Sequence, residues 1–329
     1  MNTSTAPFAD LSPDAILSAV DQYGCKTDGR LLALNSYENR VYQIGLEQGP
    51  PIVGKFYRPG RWTDAGILEE HALIAELAAQ ELPVVPPLRF NGQQTLLHSG
   101  GYRFSLFPRQ GGRVPEISSK DQLQWLGRLL GRLHAIGAQS AYSARPTLSV
   151  TLFGDEPRAY LLQGPWLPPD LTNAYSSVSA HALDAVRRCF ERAGDISHIR
   201  LHGDCYPGNL LWTDDGPHFV DFDDSRMGPA IQDLWMLLAG DRAAMGVQLR
   251  HLLTGYHTFY DFNPSELYLL EALRTLRLIH YSAWLAKRWD DPAFPLAFPW
   301  FNSPRYWQDR IIELREQIAL MDEAPLELY

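Results

Sequence analysis

The sequence predicts an α+β protein with two lobes, in which a strand-rich first third is followed by a mainly helical remainder. The chain has 329 residues, of which 45% are hydrophobic and 20% charged, so it is long enough for about two domains with a sizeable core. Up to about residue 107, short apolar runs are separated by polar turns, as in strands. Beyond residue 113, apolar residues recur at three- and four-residue spacing, as in amphipathic helices. Strands and helices that occupy different parts of a chain are typical of α+β proteins.

The first lobe, residues 1–107, is predicted to hold a small sheet and two helices. Strands are expected at 31–34, 40–46, 52–57, 94–98 and 102–107, and helices at 11–23 and 63–81. The second of these helices has one apolar face, formed by Ile67, Leu73, Ile74 and Leu77, and Glu70 lies on the same face. Prolines at positions 83, 86 and 87 end this helix.

A cluster of chain breakers at 108–113, Pro-Arg-Gln-Gly-Gly-Arg, indicates a connector between the lobes. The second lobe, residues 114–329, is predicted to be mainly helical. Its helices are expected at 119–137, 181–193, 230–240, 265–288 and 304–320. Residues 141–180 are rich in Pro, Ser and Gly and show no clear period, so no element is predicted there.

Composition excludes several classes of function. The formal net charge is −9 and no basic run stands out, so neither nucleic acid nor an anionic membrane is an expected partner. The cysteines, Cys25, Cys189 and Cys205, are odd in number and far apart, which predicts neither a disulfide framework nor a zinc site and fits a reducing compartment. No positive charge precedes Lys26 and no apolar run of about 20 residues occurs, so we expect a cytoplasmic protein.

The segment 199–224 carries the residues best suited to chemistry. A turn at 213–217 between two apolar runs predicts a hairpin, which places Asp204 and Asn209 on a loop before it and Asp221 after its second strand. Phosphoryl transfer needs one carboxylate that accepts or orients a proton, and an amide oxygen with a second carboxylate for magnesium. The spacing Asp-x-x-x-x-Asn followed by Asp-Phe is the arrangement found in kinases.

A kinase also needs a cation on the nucleotide phosphates, and Lys55 lies in an apolar strand of the first lobe. A lysine in such a strand must find an anion or face solvent. Glu70 is the predicted partner because it lies on the apolar face of the following helix, whereas Glu69 points about 100° away. The pair would match the strand-lysine and helix-glutamate ion pair of kinases.

These motifs resemble the aminoglycoside phosphotransferase and choline kinase-like superfamily. Five longer strings resemble the bacterial stress response kinase A family: LNSYENRVYQI at 34–44, KFYRPGRWT at 55–63, LHGDCYPGNLLW at 201–212, FVDFDDSRMGPAIQDLWMLL at 219–238 and DPAFPLAFPW at 291–300. They occur in order over nearly the whole chain. The resemblance implies a bilobal protein-kinase-like fold, with a small β-rich N-lobe and a larger, mainly helical C-lobe. It also implies serine/threonine protein kinase activity with ATP and Mg²⁺, and a protective role under bacterial stress.

Carried over by position, the resemblance makes Asp204 the proton acceptor and places Asp221 beside it in the catalytic set. It makes Asn209 and Asp221 the magnesium ligands, and it places Lys55 on phosphate and the Ser36 turn over the nucleotide. We expect ATP between the lobes, a protein hydroxyl as acceptor and a monomeric enzyme. The Ser36 turn lacks the glycines of a usual phosphate loop, and Ser36 can equally be a turn residue whose hydroxyl bonds local backbone.

Several alternatives stay open at this stage. The same constellation serves a small-molecule kinase acting on an amino alcohol, a sugar or an aminoglycoside, and a non-catalytic nucleotide-binding scaffold is a further alternative. His202 with Cys205 could form a thiol nucleophile, although loop support and apolar packing are the simpler roles. Asp223 and Asp224 either contact substrate or a cation or simply enter a turn. Asp233 is expected to support the catalytic loop or a helix start.

Overall fold

The computed structural model describes residues 6–328. The first five residues of the stretch examined for a secretory signal therefore lie outside the described residues. Contacts within the chain group its residues into two units. The first comprises the chain up to Glu116 together with Tyr142–Arg145 and Pro207–Ser225. The second comprises Ile117–Ala141, Pro146–Tyr206 and the chain from Arg226 onward.

The first unit is built on a five-stranded antiparallel sheet in the order β1-β2-β3-β5-β4. Its strands are β1 (Thr27–Ala33), β2 (Arg40–Leu46), β3 (Ile52–Phe56), β4 (Leu97–Ser99) and β5 (Tyr102–Pro108). All five strands were predicted, although β1 begins earlier and β4 is shorter and lies later. Lys55 is held between two neighbours, because it pairs with Val41 of β2 and with Ser105 of β5.

Two helices accompany this sheet, α1 (Pro13–Asp21) and α2 (Asp64–Ala79), close to their predicted bounds. α2 starts where the Thr63 hydroxyl accepts the Gly66 N–H at 3.1 Å, which satisfies one of the unpaired donors of a helix start. The whole predicted inner face of α2 is buried, including Glu70 at 1% exposure. A carboxylate so deeply buried needs a cationic partner.

The segment Pro207–Ser225 belongs to the first unit although it follows much of the second in sequence. A single 3₁₀ turn at Pro207–Asn209 leads into the predicted hairpin, formed by β7 (Leu210–Thr213) and β8 (Gly216–Phe219). The backbone of Trp212 pairs with that of Arg113, and the Phe219 N–H donates to the Pro83 carbonyl at 2.8 Å. The lobe boundaries 1–107, 108–113 and 114–329 stay a prediction.

The second unit is mainly helical, and its described residues also form a short strand pair, β6 (Ile199–Arg200) with β9 (Met227–Gly228). Its helices are α3 (Lys120–Gly137), α4 (Glu156–Gln163), α5 (Pro169–Ala193), α6 (Ile231–Trp235), α7 (Arg242–Tyr256), α8 (Leu270–Lys287), α9 (Ala293–Ala297) and α10 (Pro304–Asp322). Within residues 6–328, no helix combines the length and apolar character needed to cross a membrane.

The sequence missed α4, α7, α9 and the first half of α5, and it made α6 too long. α7 packs closely on α3, since a Cβ added at Gly127 of α3 would collide with the Leu252 carbonyl oxygen. A Cβ added at Gly255 of α7 would likewise collide with the Gln124 carbonyl. Tertiary packing therefore stabilises a helix whose own glycines lower its local propensity.

Candidate active site

A cavity of about 310 Å³ lies within the first unit, a volume typical of a small-molecule site. Five of the six predicted site residues line it: Ser36, Lys55, Glu70, Asn209 and Asp221. They come from four separate stretches of chain, which the sheet, α2 and the hairpin segment bring together. Apolar side chains cover other parts of its wall, among them Val41, Val53, Ile74, Phe107 and Phe219. The sixth predicted residue, Asp204, belongs to the second unit.

Lys55 is the centre of a buried ion-pair cluster. Its Nζ lies 3.4 Å from Glu70 Oε1, 3.0 Å from Asp221 Oδ1 and 3.2 Å from Asp223 Oδ1. The predicted ion pair with Glu70 is therefore confirmed. Burial acts to lower the pKa of Lys55, but the charges of Asp221, Asp223 and Glu70 outweigh it and hold that pKa well above its ordinary value. Lys55 is consequently a permanent cation on the cavity wall.

Asp221 combines an unusual backbone with an accessible carboxylate. Its φ of 61° and ψ of 68° place it in the left-handed region, which costs a non-glycine residue about 1–2 kcal/mol. Its side chain is 50% exposed, whereas that of Asp223, two residues later, is 5% exposed. Asp221 therefore contacts Lys55 and still leaves part of its carboxylate open to the cavity, whereas Asp223 is enclosed in the cluster.

The residues present fit a hard divalent cation held with the help of a ligand. Asn209 and Asp221 offer one amide oxygen and one carboxylate on the same cavity wall. Mg²⁺ is commonly bound by one or two protein carboxylates, its remaining positions being filled by water and substrate phosphates. Among the residues that the structure describes, no group of three or more His, Cys, Asp or Glu side chains could hold a metal ion by itself.

The Ser36 turn is held by charged side chains in place of glycines. Arg61 forms ion pairs with Glu38 of the turn, with Asp223 at 3.1 Å and with Asp224 at 2.8 Å. Arg58 adds an ion pair with Glu38 at 3.0 Å. Asp223 and Asp224, left open by the sequence, therefore link the turn to the Asp221 segment.

Sequence reasoning missed the second partner of Glu70, which is Arg145. Arg145 Nη2 lies 2.7 Å from Glu70 Oε2, and the same guanidinium donates to the carbonyls of Gly66, Asp223 and Ser225 at 2.6–2.9 Å. Burial raises the pKa of Glu70, while Lys55 and Arg145 act to lower it. Arg145 lies in the stretch without a readable period, so no local signal could have identified it. Glu69 instead accepts the backbone N–H groups of residues 143–145.

The loop that carries Asp204 is organised within the second unit by Asp233. Fully buried Asp233 accepts the N–H groups of His202 and Gly203, each at 2.8 Å, and also contacts His134 at 3.2 Å. Burial would raise the pKa of Asp233, but the hydrogen bond and charge of His134, the charge of His202 and the Gly203 N–H together lower it. The expected role of Asp233 in supporting this loop is confirmed.

Two side chains near Asp204 bear on its chemistry, those of Arg277 and Cys205. Asp204 Oδ1 lies 2.8 Å from Nη1 of Arg277, an α8 residue that sequence reasoning did not single out. Cys205 is fully buried, and burial together with the charges of Asp233 and Asp204 raises its thiol pKa well above the ordinary value. A thiolate nucleophile is therefore disfavoured, and apolar packing is the role of Cys205.

Comparison with known proteins identifies the family. Residues 30–270 match the model of the phosphotransferase enzyme family. The chain belongs to this family. It is 44% identical over 328 residues to stress response kinase A of Escherichia coli K12, a match that covers 100% of this chain and 99% of the relative. The serine/threonine protein kinase RdoA of Salmonella typhimurium LT2 is also 44% identical, with the same coverage. The chain is thus a kinase of the stress response kinase A group, as its motifs predicted.

Solved structures confirm the predicted kinase-like α+β fold. An amicoumacin kinase superposes with a TM-score of 0.74 at 19% identity, covering 96% of this chain and 95% of that one. A microcompartment-associated aminopropanol kinase gives 0.71 at 18% identity, covering 97% and 100%. At these identities the likeness concerns the fold alone. Kinases with this fold transfer a phosphoryl group from a nucleotide with the help of a divalent cation.

Proposed function

We propose that this protein is an ATP- and Mg²⁺-dependent serine/threonine protein kinase that protects bacteria under stress. The observation that carries the proposal is the cluster of Lys55 with Glu70 and Asp221 on the wall of one cavity. A cation fixed by buried acids, beside an accessible carboxylate and an amide, is what a metal-bound triphosphate requires. Full-length similarity to a protein named as a serine/threonine protein kinase supports the protein acceptor.

The cavity supports a definite placement of the nucleotide. We place the adenine against apolar side chains such as Val41 and Phe107, at the end where Pro108 and Gln110 begin the predicted connector. The triphosphate then reaches Lys55, whose charge is permanent for the reason given above. Backbone groups of the Ser36 turn cover the phosphates, and the ion pairs of Arg61 hold that turn in place.

Asn209 and Asp221 would hold Mg²⁺, which, when bound, neutralises charge on the nucleotide phosphates. The Lys55 ammonium interacts with the same phosphates and stabilises the negative charge of the transferring group. Asp204 orients the acceptor hydroxyl and takes its proton, and Asp233 holds the loop on which Asp204 lies. Most of the rate enhancement then comes from positioning and electrostatics.

A protein acceptor is favoured over an amino alcohol or an aminoglycoside by the charge beside Asp204. Arg277 lies 2.8 Å from its carboxylate, so a cationic acceptor would meet a positive group at the proposed base.

A non-catalytic scaffold is disfavoured because it has no need for Lys55, Asn209, Asp204 and Asp221 together. We further propose that the enzyme is cytoplasmic and monomeric. Gel filtration coupled to light scattering tests the oligomeric state.

The test is phosphate transfer from labelled ATP with Mg²⁺ to two acceptor pools, whole cytoplasmic protein extract and a protein-free metabolite fraction. We expect label in polypeptide, and an Asp204→Ala variant that folds normally should lose at least about 100-fold in rate. Label found only in metabolites would replace the protein kinase by a small-molecule kinase. Equal transfer by Asp204→Ala and wild type would refute the role of Asp204, and ATP binding without any transfer would favour the scaffold.

A further inference from the structure

Arg277 contacts Asp204 and is also accessible to a ligand. It lies on α8, its Nη1 is 2.8 Å from Asp204 Oδ1, and its side chain is 45% exposed. A guanidinium has five N–H donors in a planar fork and can bind two carboxylates at once. The contact with Asp204 uses one of its nitrogens. Because the side chain is only partly buried, part of the guanidinium stays accessible beside the Asp204 carboxylate.

A second arginine lies one turn earlier on the same face of α8. Arg274 stacks over the Trp235 ring at 5.3 Å, and the Trp235 indole donates to Gln232, which in turn donates to the Gly203 carbonyl. Arg274 is already paired with Glu271 at 3.3 Å. Its side chain is 21% exposed, against 45% for Arg277, so Arg274 is less accessible to a new partner.

We propose that Arg277 is a specificity residue that binds a carboxylate of the acceptor peptide, an Asp or Glu side chain close to the phosphorylated hydroxyl. This proposal rests on the protein kinase function proposed above and deepens it by naming the acceptor sequence. Because the guanidinium has donors for two carboxylates, an acceptor carboxylate that binds Arg277 weakens its hold on Asp204 and leaves the Asp204 oxygen more available to the acceptor hydroxyl. A lysine at the same place is repelled by Arg277 and leaves Asp204 engaged in its ion pair.

The experiment uses serine peptides that carry Asp, Asn or Lys, scanned over the three positions on each side of the serine. We measure kcat/KM with ATP and Mg²⁺ for wild type, Arg277→Gln and Arg277→Lys. Wild type should prefer Asp over Lys about tenfold at one or more positions, the size expected for a partly exposed charge pair and its reversal. Arg277→Gln should reduce that ratio to about one, and Arg277→Lys should retain part of it.

Arg187→Gln is the matched control, because Arg187 is 44% exposed in the same unit and forms ion pairs with Asp155 and Asp184. It removes one equally exposed cation and should leave the preference intact. Three results would overturn the proposal and leave the protein kinase function standing. They are the absence of a preference in wild type, an unchanged Asp-to-Lys ratio in Arg277→Gln, and an equal loss of rate on all peptides in Arg277→Gln. Transfer to no peptide and to no extract protein would refute the protein kinase function itself, and this inference with it.

Discussion

Removal of the Asp233 carboxylate should destabilise the protein and misplace Asp204. In Asp233→Ala, the N–H groups of His202 and Gly203, both bonded at 2.8 Å in a fully buried site, lose their acceptor. A buried donor left without a partner costs about 1–3 kcal/mol, so two donors cost about 4 kcal/mol. This is a large part of the 5–15 kcal/mol stability typical of a folded protein. Asp233→Asn keeps one acceptor oxygen and should lose about half as much.

Urea unfolding at pH 7 measures this loss, and kinase assays below the unfolding midpoint measure the effect on Asp204. Activity should fall about 100-fold in Asp233→Ala, because small displacements of a catalytic group have effects of that size. Asp184→Ala is the control, since Asp184 is 62% exposed and forms only a surface ion pair with Arg187, which is worth less than about 1 kcal/mol. A loss below about 1 kcal/mol in Asp233→Ala, indistinguishable from this control, would refute the reasoning.

Two further predictions concern Asp221 and Glu266. Asp221→Asn should reduce Mg²⁺-dependent turnover by more than about 100-fold. It should change the free energy of unfolding by less than about 1 kcal/mol, because the Asp221 side chain is half-exposed and Lys55 keeps its ion pairs with Glu70 and Asp223. Unchanged activity across a Mg²⁺ titration would contradict this prediction. Burial raises the pKa of Glu266 from 4.5 to about 7, although its carboxylate accepts the Ile231 N–H. The folded state then holds a proton that the unfolded state has lost, so stability should fall by up to about 3 kcal/mol as pH rises from 4.5 to 7, at 1.36 kcal/mol per pH unit. Glu266→Gln should abolish this slope in urea titrations, and equal slopes in the two proteins would exclude Glu266 as its source.

Local patterns were sufficient for most of the fold and for the chemistry-bearing residues. The period of α2 placed Glu70 on the buried face, and the strand around Lys55 required an anion, so their ion pair followed from two neighbouring elements. Asn209 and Asp221 were found because their spacing brackets a hairpin. The sequence failed at α4 and α7, where packing against other helices outweighs weak local preferences.

By itself, then, the sequence determined the α+β class and the residue types for phosphoryl transfer, because these depend on periodicity and short spacings. The family followed from the five longer strings, which resemble stress response kinase A along nearly the whole chain. Only the tertiary structure decided that Arg61 and Arg145 complete the ion-pair cluster, that Asp223 points into it, and that Arg277 lies against Asp204. These contacts join residues 73 to 168 positions apart, from Arg277 with Asp204 to Lys55 with Asp223. A buried charged residue in the sequence indicates that an opposite charge must lie beside it. The sequence does not show which residue supplies that charge, because the partner can come from any stretch of the chain.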